Sequence, residues 1–268
     1  MAETKMNVEL IFHTQLSAKF KENLRKASVQ LSETSDGKIL ALTAIRTCYS
    51  VNKPSEIAIK EGGKYFGSAA SDGTSGSDAD RLIRQIVASK HTSTLEGITF
   101  TFAIEGVSRA LLAQLTRHRV GFSFSVQSQR YVRMGSGDRS GGFDYVVPEK
   151  VSRSTKETPF YNVAESRVTG HTAEELFETA MTTAQECYDA LRDAGVPAED
   201  ARAILPQAAV TNLVMTVNLR ALLDFYAKRR RGNGAQAEIA DLAEALRREV
   251  VEVEPWTAQF FEGVSASA

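Results

Sequence analysis

The clearest pattern in the chain is a two-residue alternation between Glu96 and Glu105, where Ile98, Phe100, Phe102 and Ile104 interleave with Thr99, Thr101 and Ala103. Successive strand side chains point to opposite faces, so this stretch predicts a strand with one apolar face. Gly106 is expected to break it. A second alternation sets Phe122, Phe124 and Val126 against Ser123 and Ser125, and predicts another half-buried strand. Asn7 to His13 reads as a short opening strand. Val210 to Val217 reads as a strand or a buried helix, because a continuous apolar run does not separate the two.

Helices are marked by apolar positions three and four apart and by their end signals. Ser77 with Asp80 and Thr172 with Glu175 form capping boxes, in which each side chain satisfies an orphan amide of the first turn. Leu82, Ile83, Ile86 and Val87 share one face after the first box. Leu176, Phe177, Ala180, Met181, Ala184, Cys187, Tyr188 and Leu191 form a stripe after the second, which Gly195 and Pro197 end. Ser108 to Thr116, Ala198 to Leu205 (stopped by Pro206), Leu219 to Arg230 (with Asn218 as N-cap) and Gln236 to Val251 read as further helices. Gln15 to Leu31 has mixed helical periodicity, and Ile39 to Tyr49 is helix or strand. Lys60 to Ser77, rich in Gly, Ser, Ala and Asp, predicts a flexible loop, and Gly135 to Gly142 a second. No regular βαβ rhythm is present. The expected fold class is α+β, a central mostly antiparallel sheet packed by helices, as a single domain over residues 1–268 with a Gly/Ser-rich loop at about 61–77.

Composition narrows the function. The chain is 43% apolar and 24% charged, as an ordinary soluble globular protein is. Thirty-two basic and thirty-three acidic residues leave a formal charge of -1, so bulk charge gives no reason to expect nucleic-acid or membrane binding. Any anion site must be local. Cys48 and Cys187 form neither a CxxC nor a metal cluster, which points to a reducing compartment. The first residues lack a signal-peptide plan and no run is long enough to span a bilayer, so a cytoplasmic location is expected. The four histidines, at 13, 91, 118 and 171, are scattered, with no HExxH, so no metal is expected. A phosphate-binding GxxxxGK[ST] loop and a GxGxxG after a strand are both missing.

What remains is cationic. Arg117-His118-Arg119 lies at a helix C-terminal end, where the dipole favours cations and a solvated helix end explains them as well as a ligand does. Arg130, two residues beyond Ser128, shifts the balance, because a guanidinium beside a hydroxyl suits a phosphate. His91 follows a helix and alone reads as structural. Arg202, Asn218 and Arg220 stand near helix ends. Lys228-Arg229-Arg230-Arg231 reads first as exposed surface. These residues describe an anion or nucleotide site built from Arg-rich segments, and the spacing does not contain the reaction.

Arg117-His118-Arg119 followed by Ser128-Gln129-Arg130-Tyr131 resembles the signature of the flavin-dependent thymidylate synthases, Arg-His-Arg, seven residues, then Ser-x-Arg. Arg46-Thr47-Cys48-Tyr49-Ser50, His91 to Glu96, Phe100-Thr101-Phe102, Gln114, Ala201 to Pro206, Val217 to Arg220 and Ala235-Gln236-x-Glu238-Ile239 also resemble that family, in the same order. The resemblance implies an enzyme making dTMP from dUMP, with FAD as cofactor and NADPH and methylenetetrahydrofolate as co-substrates. It implies flavin-binding roles for Ser93, Glu96, Arg117, His118, Arg119, Asn218, Arg220 and the position of Asp224. It implies nucleotide-binding roles for Gln114, Arg117, Gln127, Ser128, Gln129, Arg130, Arg202 and Arg229, with Arg229 activating the uracil ring. The partners implied are dUMP, folate and other copies of the chain, in a homotetramer with sites between subunits. Departures from that pattern stand out. Eight residues separate Arg119 from Ser128, an excess most simply absorbed near Val120-Gly121. Val126 replaces a commonly polar residue, leaving Gln127 to take its place, and Asp224 replaces an Asn or His. The loop after Arg229 is also one residue longer, making Arg230 a second choice for activation. Two other readings stay open: a flavin- and nucleotide-binding relative with altered chemistry, and a non-catalytic RNA-binding protein using the basic clusters.

Overall fold

The computed structural model describes residues 2–27, 34–162 and 166–262. In chain order the elements are β1 (Asn7–His13), α1 (Ala18–Lys26), α2 (Asp36–Thr47), α3 (Pro54–Gly67), α4 (Asp78–Ala88), β2 (Thr99–Ser108), α5 (Arg109–Leu115) and β3 (Phe122–Val126). They continue with α6 (Glu149–Ser152), β4 (Thr158–Asn162), β5 (Arg167–His171), α7 (Ala173–Asp193), α8 (Ala198–Ala201), β6 (Val210–Asn218), α9 (Leu219–Arg229), α10 (Ala237–Val253) and α11 (Ala258–Glu262). Short 3-10 turns occupy Thr92–Leu95, Arg202–Ile204 and Pro255–Thr257.

Four strands form an antiparallel sheet in the order β1-β2-β6-β3, and β4 with β5 makes a separate hairpin. This is the expected α+β class. The alternation along β2 decides the layering: Phe100, Phe102 and Ile104 are fully buried, with Leu213, Met215 and Val217 of β6 beside them. Against that face pack Ile45 of α2, Ile83 of α4, Leu111 and Leu115 of α5, Phe225 of α9 and Leu246 of α10. Each such side chain contributes on the order of 1.5–3 kcal/mol on burial. The opposite face carries Thr101, Thr216, Ser123 and Ser125, with the Thr101 and Thr216 hydroxyls 2.9 Å apart. Among the described residues no helix is long and apolar enough to cross a membrane.

The structure departs from the sequence pattern at four places. Gly106 does not end β2. It takes a positive φ of 68° in a bulge where the register shifts between Ile104 and Val107, and the strand runs on to Ser108. A Cβ there would lie 2.5 Å from the Lys5 carbonyl oxygen, so close backbone approach is what this glycine serves. The predicted strand start at Glu96 is also displaced, because residues 92–95 close a 3-10 turn before β2 begins at Thr99. The predicted loop at 60–77 is loop only from Ser68 onward, since α3, begun by Pro54, carries helix through Gly67. Its buried Ile57, Ala58, Gly62 and Tyr65 supply the inward face that composition concealed. The remainder is tied down: Asp72 accepts from Arg84 and from the Thr74 amide at 3.1 Å, and Asp78 accepts from the Ser71 hydroxyl at 2.8 Å. Finally, the helix expected at Gln15 to Leu31 spans Ala18–Lys26, and residues 28–31 lie outside the described residues.

Both capping boxes form as expected. Ser108 and Asn218 cap α5 and α9, each directly at the end of a strand. These strand-to-helix junctions lie at opposite ends of the antiparallel β2–β6 pair, because Thr99 pairs with Asn218 and Ser108 with Val210.

Candidate active site

The first junction gathers the cationic motif. Asn218 closes β6 and caps α9, its side-chain oxygen accepting from the Ala221 amide at 2.9 Å. Its own amide donates to the Gly121 carbonyl at 3.1 Å, and the Leu219 amide donates to the Ile98 carbonyl at 2.8 Å. Three segments are thereby pinned at one end of the sheet: the approach to β2, the approach to β3 and the start of α9. Gly121 has φ +77°, and a Cβ on it would fall 2.6 Å from both the Ala221 Cβ and the Asn218 Nδ2. Its left-handed turn lies where the surplus residue of the signature was expected.

From these segments project Arg117, His118, Arg119, Ser93, Glu96 and Arg220. Glu96 accepts from Arg220 in an ion pair across 124 residues of chain. Arg117 and Arg119 are exposed. His118 is half-buried, its ring edge-on to Phe225 with centroids 5.0 Å apart and 5.9 Å from Phe122. Its Nε2 accepts from Arg229 Nε at 3.2 Å, which brings the last residue of α9 onto the Arg-His-Arg motif. Burial, and then the charge of Arg229, hold the imidazole below its ordinary pKa. A neutral ring that accepts at Nε2 carries its proton on Nδ1. Asp224, one turn earlier on α9, is exposed and pairs with Lys228 at 2.7 Å.

A family-like segment that had no assigned role also meets the first group here. Tyr49 donates to or accepts from His91 Nδ1 at 3.1 Å, placing the segment from Arg46 to Ser50 beside the Ser93 turn. Arg46, Ser50 and Asn52 converge on Glu61 of α3, with Arg46 at 2.6 Å and Asn52 at 2.8 Å. Glu61 could not be found from sequence, because its helix was read as loop.

Gln127, Ser128, Gln129, Arg130 and Arg202 lie past the far end of β3. Gln127 turns its amide into the sheet edge: its Oε1 accepts from Asn212 Nδ2 at 3.1 Å, and its backbone amide donates to the Asn212 carbonyl at 2.8 Å. Ser128 Oγ accepts from the Arg130 amide at 3.2 Å, folding the chain into a tight turn. Gln129 is 4% exposed, and its Nε2 is buried without a hydrogen-bond partner. Arg130 Nε donates to Glu199 Oε2 at 2.5 Å, and Arg202 Nε donates to the Glu199 carbonyl at 3.0 Å. Glu199 thus assembles two distant arginines. The only sequence signal for it is its place three residues before Arg202 in a four-residue helix.

The two groups are apart in one protomer. At about 3.4 Å per residue, the five residues of β3 alone separate them by about 17 Å. Gln114 and Arg117 lie nearer the first group, on and just after α5. A groove of about 960 Å³ between residues 3–8, 146–150 and the start of α10 is lined by none of these positions. The first group suits a large anionic cofactor: exposed guanidinium groups, a glycine turn too tight for a side chain, and a neutral imidazole against two phenyl rings.

Residues 30–256 match the family model described as thymidylate synthase complementing protein. The chain is 38% identical over 225 residues to the flavin-dependent thymidylate synthase of Geobacter sulfurreducens, covering 84% of this chain and 82% of that one. It is 35% identical to the flavin-dependent thymidylate synthase of Halobacterium salinarum, covering 72% and 80%. A solved structure of the UMP/dUMP methylase PolB from Streptomyces cacaoi, bound with 5-Br dUMP, superposes with a TM-score of 0.66 at 22% identity, covering 97% of this chain and 96% of that one. That last similarity is one of fold.

Proposed function

Because the chain belongs to the thymidylate synthase complementing protein family, we infer that it methylates dUMP to dTMP, with methylenetetrahydrofolate as carbon donor and NADPH-reduced FAD as hydride source. The observation that carries the assignment of roles is the hydrogen bond from Arg229 to His118, which seats an arginine 111 residues away on the signature motif.

FAD, when bound, supplies the hydride that completes the methyl group, so the protein needs no activated thiol. Ser93, Glu96, Arg117, His118, Arg119, Asn218 and Arg220 would hold it, the guanidinium groups meeting its diphosphate. The position of Asp224 contributes least, its carboxylate being engaged by Lys228. Arg130 and Arg202 hold the nucleotide phosphate with Ser128, and Gln114, Arg117, Gln127 and Gln129 complete the nucleotide set. C5 of uracil is a weak nucleophile, and charge must build on the ring before it attacks the methylene carbon. Arg229 stabilises that charge without reorganising water. Neutral His118 keeps Arg229 aimed without adding a competing positive charge. Arg230 faces elsewhere, its amide bonded to the Tyr226 carbonyl at 2.8 Å and its side chain near the partly buried Tyr226–Glu244 pair.

The separation of the two groups along β3 supports a site assembled from several copies, and we place the working enzyme as a homotetramer, in the cytoplasm. The RNA-binding reading loses its footing, because the basic run is not free. Lys228 pairs with Asp224, Arg229 with His118 and Arg231 with Asp241 at 2.9 Å.

The test is tritium release from C5 of labelled dUMP, with the flavin spectrum recorded on the same preparation. Release that depends on NADPH and methylenetetrahydrofolate is expected. A yellow protein that releases none would leave the altered-chemistry reading in its place.

A further inference from the structure

The Ala235-Gln236-x-Glu238-Ile239 segment resembles the family without contributing a residue to either group, and its contacts give it a role. Glu238 grips the start of α5. Its Oε1 accepts from the Ser108 amide at 2.7 Å and its Oε2 from the Ser108 hydroxyl at 2.6 Å, while the same hydroxyl caps the Leu111 amide at 3.0 Å. Gln236 grips the other end of that helix. Its Oε1 accepts from Gln114 Nε2 at 2.7 Å. The start of α10 therefore fixes both ends of the helix that delivers Arg117, His118 and Arg119.

The orientation of the Gln114 amide follows from its second partner. Gln114 Nε2 also donates to the Ala110 carbonyl at 3.4 Å, and a backbone carbonyl can only accept. The nitrogen must be the atom on that side, and Gln236 must offer it an oxygen. Both N–H groups of the amide are then occupied within the protein. What Gln114 has left to present is one oxygen, a pure acceptor.

We propose that Gln236 is a positioning residue that locks Gln114 as a hydrogen-bond acceptor, so that the nucleotide is read there through a donor group of its own, a ring N–H or a sugar O–H. This rests on the placement of Gln114 in the nucleotide site. Without Gln236, only the long 3.4 Å contact to the Ala110 carbonyl orients the Gln114 amide, and its oxygen is presented only part of the time. The cost falls on nucleotide binding, not on flavin retention or on activation by Arg229. Gln236 is exposed at the N-cap of α10, where its side chain caps no backbone amide, so losing it removes one contact and leaves the helix in place.

The experiment compares Gln236→Met, Gln236→Glu, Gln114→Met and the Gln236→Met/Gln114→Met double variant in the intact FAD-bound enzyme. Steady-state KM and kcat for dUMP are read together with flavin content. Gln236→Met should raise KM about fivefold with kcat and flavin content unchanged, the scale of one hydrogen bond. Gln236→Glu, which keeps an oxygen and cannot flip, should restore the wild-type KM. The double variant should be no worse than Gln114→Met alone, because the two side chains act as one unit. An unchanged KM in Gln236→Met, with a raised KM in Gln114→Met, overturns the inference alone. An unchanged KM in Gln114→Met overturns both the inference and the placement of Gln114.

Discussion

The two ends of the β3–β6 ladder are built in different ways. At the first, the side chains of the cationic motif hang from interlocked backbone: Asn218 caps α9, accommodates Gly121 and closes the ladder, and His118 is wedged against Phe225 and Phe122. At the second, Ser128, Arg130 and Arg202 stand on a turn and a short helix. One carboxylate residue, Glu199, gathers the arginines, and the Arg130 side chain is 55% exposed. A rigid frame suits the role proposed for the first end, aiming an arginine at a reacting ring. An exposed, provisional ion pair suits the role proposed for the second end, admitting and releasing a phosphate. The first end stores geometry and the second stores charge.

The largest effect should come from removing the arginine that the rigid end aims. Arg229→Ala should lower kcat by about 10²–10³-fold, as loss of one preorganised donor at a developing charge does, while FAD stays bound. Arg230→Ala should keep most turnover, since Arg230 belongs to the side of α9 where Tyr226, its phenol pushed up to about 12 by burial and by Glu244, packs against α10. Tritium release measured on both variants decides between them. A nearly active Arg229→Ala enzyme would remove the reason for the rigid end.

How much of this was legible in the sequence follows the same division. The rigid end was readable because its parts are local: β2 and β3 show period-two alternation, and Asn218 is a strong N-cap before an apolar run. The family-like motifs named its cations. The pairings were not readable, because Arg229–His118, Gln114–Gln236 and Arg130–Glu199 join residues 69 to 122 positions apart. Helix α3 was missed because three glycines dilute its pattern, and its buried side depends on α2. The bulge at Gly106 was read as a break for lack of any local sign that Lys5 would pass so close.

A smaller effect sharpens what rigidity means at the first end. Gly121→Ala combines a left-handed backbone with contact against Asn218 and Ala221, whereas Gly73, also left-handed at φ +76°, has open space where a Cβ would stand. Strain of this kind costs on the order of 1–3 kcal/mol. Gly121→Ala should therefore lower the melting temperature more than Gly73→Ala and should also lose flavin on purification. Equal melting temperatures and full flavin in both would mean that the Asn218 junction can shift without consequence.

The smallest effect belongs to the charge-storing end. Glu199 holds Arg130, so a phosphate binding there competes with a carboxylate for the guanidinium. Because the pair is exposed, the competition is weak, and exposed ion pairs contribute about 0.2–1 kcal/mol. Glu199→Gln keeps the shape and removes the charge. It should lower the KM for dUMP by about twofold to fivefold. The gain should shrink as salt is raised, since screening weakens the same pair in the wild type. The Arg202 contact runs to the Glu199 backbone carbonyl, so it should survive the substitution. If Glu199→Gln instead raised KM, the carboxylate would be orienting Arg130 for phosphate rather than occupying it. The second end would then be preorganised like the first, and the contrast between the two would be one of exposure only.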